Sequence, residues 1–211
     1  MASRVGQQNE VAYTLSNPPI LNSSDIDWLK TSIPGKTFNK LTLLSSVRPN
    51  QKTKEEVYAS FQSSSDVFVI YKSRYSKIVG AYFQDIFVRR DQTALYNPDL
   101  GSRGISTQTA VLGVTDRTTI EQSSWNESSY SQAYQYDESL QTVVYNDRGQ
   151  LHFNLDCIEP PLTPSDDQGK DFLVITDPGY SAKNLTGSPT WAKQDQVDLA
   201  CVQIEFYHGE Q

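Results

Sequence analysis

The stretch Asp66–Phe83, DVFVIYKSRYSKIVGAYF, sets the architecture of this chain. Two apolar runs flank a short basic, polar turn, which is the pattern of a β-hairpin. In the first run Val67, Val69 and Tyr71 alternate with Phe68 and Ile70, so both faces are apolar. Such a strand belongs in the middle of a packed sheet, not at its edge. Gly80 stands between Val79 and Ala81, where a side chain would normally pack. A glycine inside a strand marks a bulge or the close approach of another backbone.

Upstream of the hairpin the sequence predicts two helices and a strand. Ser24 followed by Asp27 has the form of a capping box, and Ile26, Leu29 and Ile33 then share one helical face before Pro34-Gly35. Leu41 to Val47 reads as a strand. Thr53 with Glu56 is a second cap signal, and Val57 and Phe61 lie one turn apart in a helix that ends near Gln62. Downstream, Ala110 to Val114, Thr142 to Tyr145, Leu151 to Leu155 and Asp171 to Thr176 read as strands. Thr115 to Ser139 reads as a long polar excursion and Asp177 to Lys193 as irregular.

Asp198 to His208 alternates. Ala200, Val202, Ile204 and Phe206 are expected on one face, and Cys201, Gln203, Glu205 and Tyr207 on the other. About seven or eight strands with two early helices that do not alternate with them predict an α+β fold, a two-sheet antiparallel β-sandwich flanked by short helices.

A chain of 211 residues fits one domain. Residues 1–19 are polar, end in Asn17-Pro18-Pro19 and read as an N-terminal arm; residues 20–211 form the domain. The formal charge of -7 argues against a nucleic-acid binder, which needs a basic face to displace phosphate counterions. No apolar leader segment begins the sequence and no run of about eighteen apolar residues spans a membrane, so a cytoplasmic location is expected. Cys157 and Cys201 each lie in or beside an apolar strand pattern, which suits buried reduced thiols better than a disulfide framework.

The residues capable of chemistry do not assemble into a known constellation. His152 and His208 sit in separate strands without partners at metal-ligand spacing. Asp166, Asp167 and Asp171 lack the alternating oxygen ligands and terminal glutamate of a calcium loop. Gly101 to Gly104 has neither the lysine sequel nor the following helix of a phosphate cradle. No nucleophile elbow surrounds a serine, and a reactive cysteine would need a depressed pKa and exposure. A non-enzyme without metal or cofactor is therefore expected. Lys72, Arg74, Lys77, Arg89 and Arg90 outline a basic edge of the kind that guards a sheet against edge pairing. Tyr96, Tyr130, Tyr134 and Tyr136, placed in polar loops, are candidate interface residues, because tyrosine supplies contact area at low entropic cost.

Taken in order, these landmarks resemble the TLDc domain family. Its L-T-L-L strand is matched by Leu41 to Leu44, and its apolar strand ending in Lys-Ser by Val67 to Ser73. Its G-G-Y strand is matched by Gly80-Ala81-Tyr82, with alanine for the second glycine, and its D-L-x-I-x-D strand by Asp171 to Asp177. Its closing I-E-V-[FY] strand is matched by Ile204 to Tyr207. The SRDG-like turn of the family is replaced by Ser45 to Asn50.

The resemblance spans about residues 20 to 208, nearly the whole chain, and marks Gly80, Tyr82, Asp171, Asp177 and Glu205 as motif positions. It implies a two-sheet β-sandwich with short helices, no agreed catalytic set, a link to protection against oxidative stress, and binding or regulation of the vacuolar-type proton pump. A structural role in a ciliary or cytoskeletal assembly is the second expectation. A thiol-dependent antioxidant using Cys157 or Cys201 is the third.

Overall fold

Residues 17–84, 108–121, 134–136, 142–145, 148–153, 155–159, 171–189 and 196–211 are described by a computed structural model of the chain. The hairpin read from the sequence is present: β2 (Val67–Ser73) pairs antiparallel with β3 (Ile78–Phe83), Ile70 opposite Gly80 and without a register shift. It lies inside a six-stranded sheet. β1 (Lys40–Val47) is one edge, followed by β11 (Cys201–Glu210), β2, β3, β4 (Thr109–Gly113) and β5 (Thr118–Glu121). A second sheet of five strands has the order β10 (Gln196–Asp198), β9 (Phe172–Ile175), β8 (Gly149–Phe153), β7 (Thr142–Tyr145) and β6 (Tyr134–Tyr136). All pairings are antiparallel.

The two sheets enclose one core. Val67, Val69 and Tyr71 of β2, Val79, Ala81 and Phe83 of β3, and Ile204 and Phe206 of β11 meet Leu151, Phe153, Leu173 and Ile175 of the smaller sheet. Strands β8 and β9 bury alternate residues, so only one of their faces enters this core. The six-stranded sheet is buried on both faces. Phe68, Ile70, Tyr82, Ala110, Leu112 and Tyr207 on its far side pack under Ile20, Leu21, Leu29, Ile33 and Phe38. Phe38 stands edge-on to Phe68 with ring centroids 5.3 Å apart. Each aliphatic or aromatic side chain buried here stabilises the fold by about 1.5–3 kcal/mol, which explains why β2 is apolar at every one of its first five positions.

Helix α1 (Ser23–Leu29) belongs to this outer layer, and α2 (Lys54–Phe61) closes a side of the main core with Val57, Tyr58 and Phe61. The Phe61 ring stacks on Phe206 at 4.4 Å. The Thr53–Glu56 capping box forms as expected, and the C-cap is Gln62. The first helix differs from the expectation. Its N-cap is Asn22, boxed with Asp25 in place of Ser24 with Asp27, and it ends at Leu29. Both pairs fit the capping pattern locally; the Ile20 backbone is fixed from across the sheet by Glu205, and the helix starts where that anchor allows.

Three further expectations are corrected. The excursion from Thr115 to Ser139 contains two strands, β5 and β6, too short and polar to be seen without their partners. The region after Asp177 contains α3 (Ala182–Thr186), capped by Ser181 and ended by Gly187 in the left-handed conformation at φ 72°. The final strand is interrupted at Leu199 and Ala200, and a bulge inserts Val202 between the pairs Cys201–Ser73 and Gln203–Lys72. One extra residue inverts the alternation. Cys201 therefore joins Ile204 and Phe206 in the core, while Val202 is 38% exposed.

No helix among the described residues is long and apolar enough to cross a membrane.

Candidate functional site

The five motif positions are brought into the fold by separate jobs. Gly80 lets β3 lie against β2: a Cβ there would fall 2.3 Å from the Val69 carbonyl oxygen. Tyr82 is buried beside Phe38 and Phe68, and its hydroxyl donates to Asp66 Oδ1 at 2.5 Å. The same carboxylate oxygen meets Lys36 Nζ at 2.6 Å. Asp177, just after β9, accepts the Gly179 N–H on Oδ1 at 2.8 Å and faces Arg148 Nε with Oδ2 at 2.6 Å. That pair ties the end of β9 to the turn before β8.

Glu205 is wholly buried in β11, an interior strand next to the edge strand β1. Its carboxylate accepts the Ile20 N–H on both oxygens at 3.0 Å, the Ser46 hydroxyl at 3.1 Å, a Gln203 amide hydrogen at 3.1 Å and the Tyr207 hydroxyl at 2.6 Å. Gln203 also donates to the Pro18 carbonyl at 2.8 Å. Together they fasten the described end of the N-terminal arm to the sheet. Burial first, then the hydrogen bond and charge of Glu205, pushes the Tyr207 phenol upward.

Asp171 precedes β9 and organises a cluster that spacing alone did not announce. Its Oδ1 accepts the Leu155 N–H at 3.0 Å, its Oδ2 accepts the Cys157 N–H at 3.2 Å, and its carbonyl accepts the Leu199 N–H at 3.0 Å. Leu155 and Ala200 both adopt left-handed backbone conformations, at φ 64° and 45°. Such conformations persist in non-glycine residues when the surroundings hold them. On the other side of the turn, the Glu159 carboxylate accepts the Lys54 N–H at 2.6 Å at the start of α2, and Lys54 Nζ meets Asp156 Oδ1 at 2.5 Å.

Held in this way, Cys157 places its sulfur 2.8 Å from that of Cys201. Both are free thiols. Part of Cys157 reaches solvent while its thiol is enclosed; burial, then hydrogen bonding to Cys201 and the charge of Asp171, pushes it well above the usual thiol range. Tyr71 borders the cluster. Its buried hydroxyl makes no hydrogen bond among the described residues, and burial followed by the charge of Asp171 raises it as well. The cluster keeps the Cys157 thiol protonated, a state in which cysteine is a poor nucleophile.

Of the other sequence candidates, Tyr96, Tyr130, Asp166, Asp167, Arg89, Arg90 and Gly101 to Gly104 lie outside the described residues. Tyr134 and Tyr136, expected in a loop, lie in β6, the edge strand paired with β7. Lys77 of the basic edge pairs with Asp116 at 2.6 Å. Among the described residues no three histidine, cysteine or acidic side chains come together as a metal site.

His152 and His208 are half-buried strand residues, as expected. His208 Nδ1 lies 2.7 Å from the Ser65 carbonyl. His152 stacks on its strand partner Phe172 at 4.0 Å, contacts Gln150 Oε1 at 3.0 Å, and is pushed by burial down to about 4. A histidine depressed in the folded state binds its proton first in the unfolded chain, so its stabilising effect is complete above about pH 6.5 and fades as pH falls toward 4. Allowing for the part of the ring that meets solvent, acidification from pH 7 to 4.5 removes about 2 kcal/mol through this residue. Urea unfolding of His152→Gln should show a loss smaller by that amount over the same interval.

Compared with known proteins, the sequence matches no family model and no curated protein.

Proposed function

We propose that this chain is a non-catalytic, TLDc-like interaction domain that docks on a large protein assembly, and that the assembly is the vacuolar-type proton pump. The observation that carries this reading is a contrast between interior and surface. The motif acids Asp171, Asp177 and Glu205 spend their oxygens on backbone N–H groups, Arg148 and neighbouring hydroxyls, whereas large side chains stand exposed outside, Leu43 on β1 and Tyr75, Tyr180 and Val202 toward one end of the sandwich.

That end is built from the β2–β3 turn, the start of β11 and α3. The Arg74 N–H donates to the Ala200 carbonyl, and the Ser73 hydroxyl donates to the Thr186 carbonyl. Tyr75 lies over Gly187 and is 45% exposed; Tyr180, just before the N-cap of α3, is 40% exposed; Val202 bulges outward at the start of β11. Exposed tyrosines on a rigid framework are good anchors for a protein partner. The motif order supplies the choice of partner, and a ciliary or cytoskeletal scaffold is the competing one. The antioxidant reading needs an activated thiolate, and the raised Cys157 works against it.

Biolayer interferometry of the full chain on the purified peripheral sector of the pump tests the reading. Saturable binding with a Kd of about 1 μM is expected, weakened at least about tenfold by Tyr75→Ser combined with Tyr180→Ser. Binding to axonemal microtubules in place of the pump would move the domain to the scaffold reading, and binding to neither would overturn both.

A further inference from the structure

We propose that Cys157 and Cys201 are a reversible thiol–disulfide pair, which a low-molecular-weight disulfide of the glutathione type closes into a single covalent bond between the turn at residues 155–159 and β11. The geometry carries this. The two sulfurs face each other at 2.8 Å, nearer than unbonded sulfur atoms normally rest and short of the roughly 2.05 Å of a formed bond. Neither cysteine wanders. The turn bearing Cys157 is pinned by the Asp171 carboxylate on one side and by α2 on the other, and Cys201 is a paired residue of β11. The carbonyl of Asp171 also holds Leu199, two residues before Cys201, so one residue sets the position of both sulfurs.

The bulge at Val202 is the second element of the arrangement. Without it Cys201 would share the face of Gln203 and Glu205, on the far side of the sheet from Cys157. The inserted residue turns Cys201 into the space between the sheets, where Cys157 arrives from the turn at residues 155–159. Val202 is left exposed by this exchange, a cost that a strand without such a requirement would not carry.

The chemistry proceeds in two exchanges. Cys157, the more accessible of the two, attacks one sulfur of the oxidant; its own proton is lost, the oxidant's S–S bond breaks, and one low-molecular-weight thiol leaves with that proton. Cys201 then attacks the Cys157 sulfur of the mixed disulfide, the second thiol leaves with the second proton, and the internal bond forms. Two protein thiols are oxidised by two electrons, and one small disulfide is reduced to two thiols. Because the thiol is enclosed and protonated, the first exchange is slow, which makes the pair a latch and not a turnover site. The proposal is independent of the docking reading, since it concerns the interior of the sandwich.

The test exposes the full-length chain to glutathione disulfide under native conditions and reads intact mass, free-thiol count after unfolding, and melting temperature. The expected product is monomeric, lacks both free thiols, is about 2 Da lighter than the reduced chain, and yields a Cys157–Cys201 linked peptide on digestion. Cross-linking residues that are 44 apart in sequence restricts the unfolded chain, so the melting temperature rises by about 8 °C and falls back on reduction. Cys157→Ser and Cys201→Ser carry at most one glutathione and show no such rise. A wild-type product in which both thiols persist, or each sulfur carries its own glutathione, or the chains are bridged into dimers, overturns the proposal. So does an equal rise in melting temperature in the single-cysteine variants.

Discussion

Replacing Glu205 by leucine is expected to lower folding stability by about 4 kcal/mol, with most of the loss traceable to two orphaned hydrogen-bond donors. The carboxylate serves four donors, yet they are not equally dependent on it. Gln203 keeps the Pro18 carbonyl and the Ser46 hydroxyl as alternative acceptors, and Ser46 keeps its contact with Gln203. The Ile20 N–H and the Tyr207 hydroxyl are different. Both are buried, and Glu205 is the acceptor that the fold provides for each. Leaving a buried donor unpaired costs about 1–3 kcal/mol.

The damage should also be localised. With Glu205 replaced, Ile20 loses its bond to β11 while Pro18 keeps the one from Gln203, so Ile20 and Leu21 are held less firmly over the outer face of the six-stranded sheet. Urea unfolding measures the stability change, and hydrogen exchange should show faster exchange at Ile20 than in β2. Glu205→Gln retains one oxygen acceptor and is expected to lose about half as much. Equal stability of Glu205→Leu and the parent would mean that the cluster of donors is satisfied in some other way.

Gly80→Val is expected to cost at least about 4 kcal/mol and to leave little folded protein at 37 °C. The reason is close approach, not backbone conformation. A Cβ at this position meets the Val69 carbonyl oxygen at 2.3 Å and Ile70 Cδ1 at 2.9 Å. The carbonyl belongs to the backbone of β2, which is itself held between β11 and β3, so the sheet cannot give way without breaking its ladder. Gly113 supplies the comparison. A Cβ there meets Leu185 Cδ2 at 2.6 Å, the end of a side chain that can change rotamer. Gly113→Ala should therefore cost about 1–2 kcal/mol and Gly80→Ala about 3 kcal/mol, read as shifts in urea midpoint at constant slope. Similar midpoints for the two alanine variants would show that β2 yields as easily as a leucine side chain.

Several parts of this architecture are legible from short stretches of sequence because their causes are local. Thr53 and Glu56 satisfy each other's backbone within three residues, so the start of α2 needs no knowledge of the rest of the chain. The unbroken apolar run of β2 announces a strand with a layer on either side, and both layers are found. The isolated glycine in β3 likewise marks the close backbone approach that it permits.

Other parts depend on residues far apart in the chain. The start of α1 lies two residues before the expected cap, since Ile20 is tied to Glu205 at a sequence separation of 185. Strands of three or four residues, such as β6 and β5, take their identity from the neighbours with which they pair. The Cys157–Cys201 contact was invisible for the same reason: neither cysteine has a local signature, and it takes a bulge at Val202 and the Asp171 anchor to bring their sulfurs together.

The layered antiparallel architecture, the hairpin at its centre and the α2 cap thus follow from periodicity and neighbouring hydrogen bonds, which act over a few residues. The inward turn of Cys201, the outward bulge of Val202 and the clamp on the N-terminal segment arise when the sheets come together. Burial then drives polar groups such as the Ile20 N–H and the Tyr207 hydroxyl to partners the fold supplies, regardless of distance along the chain.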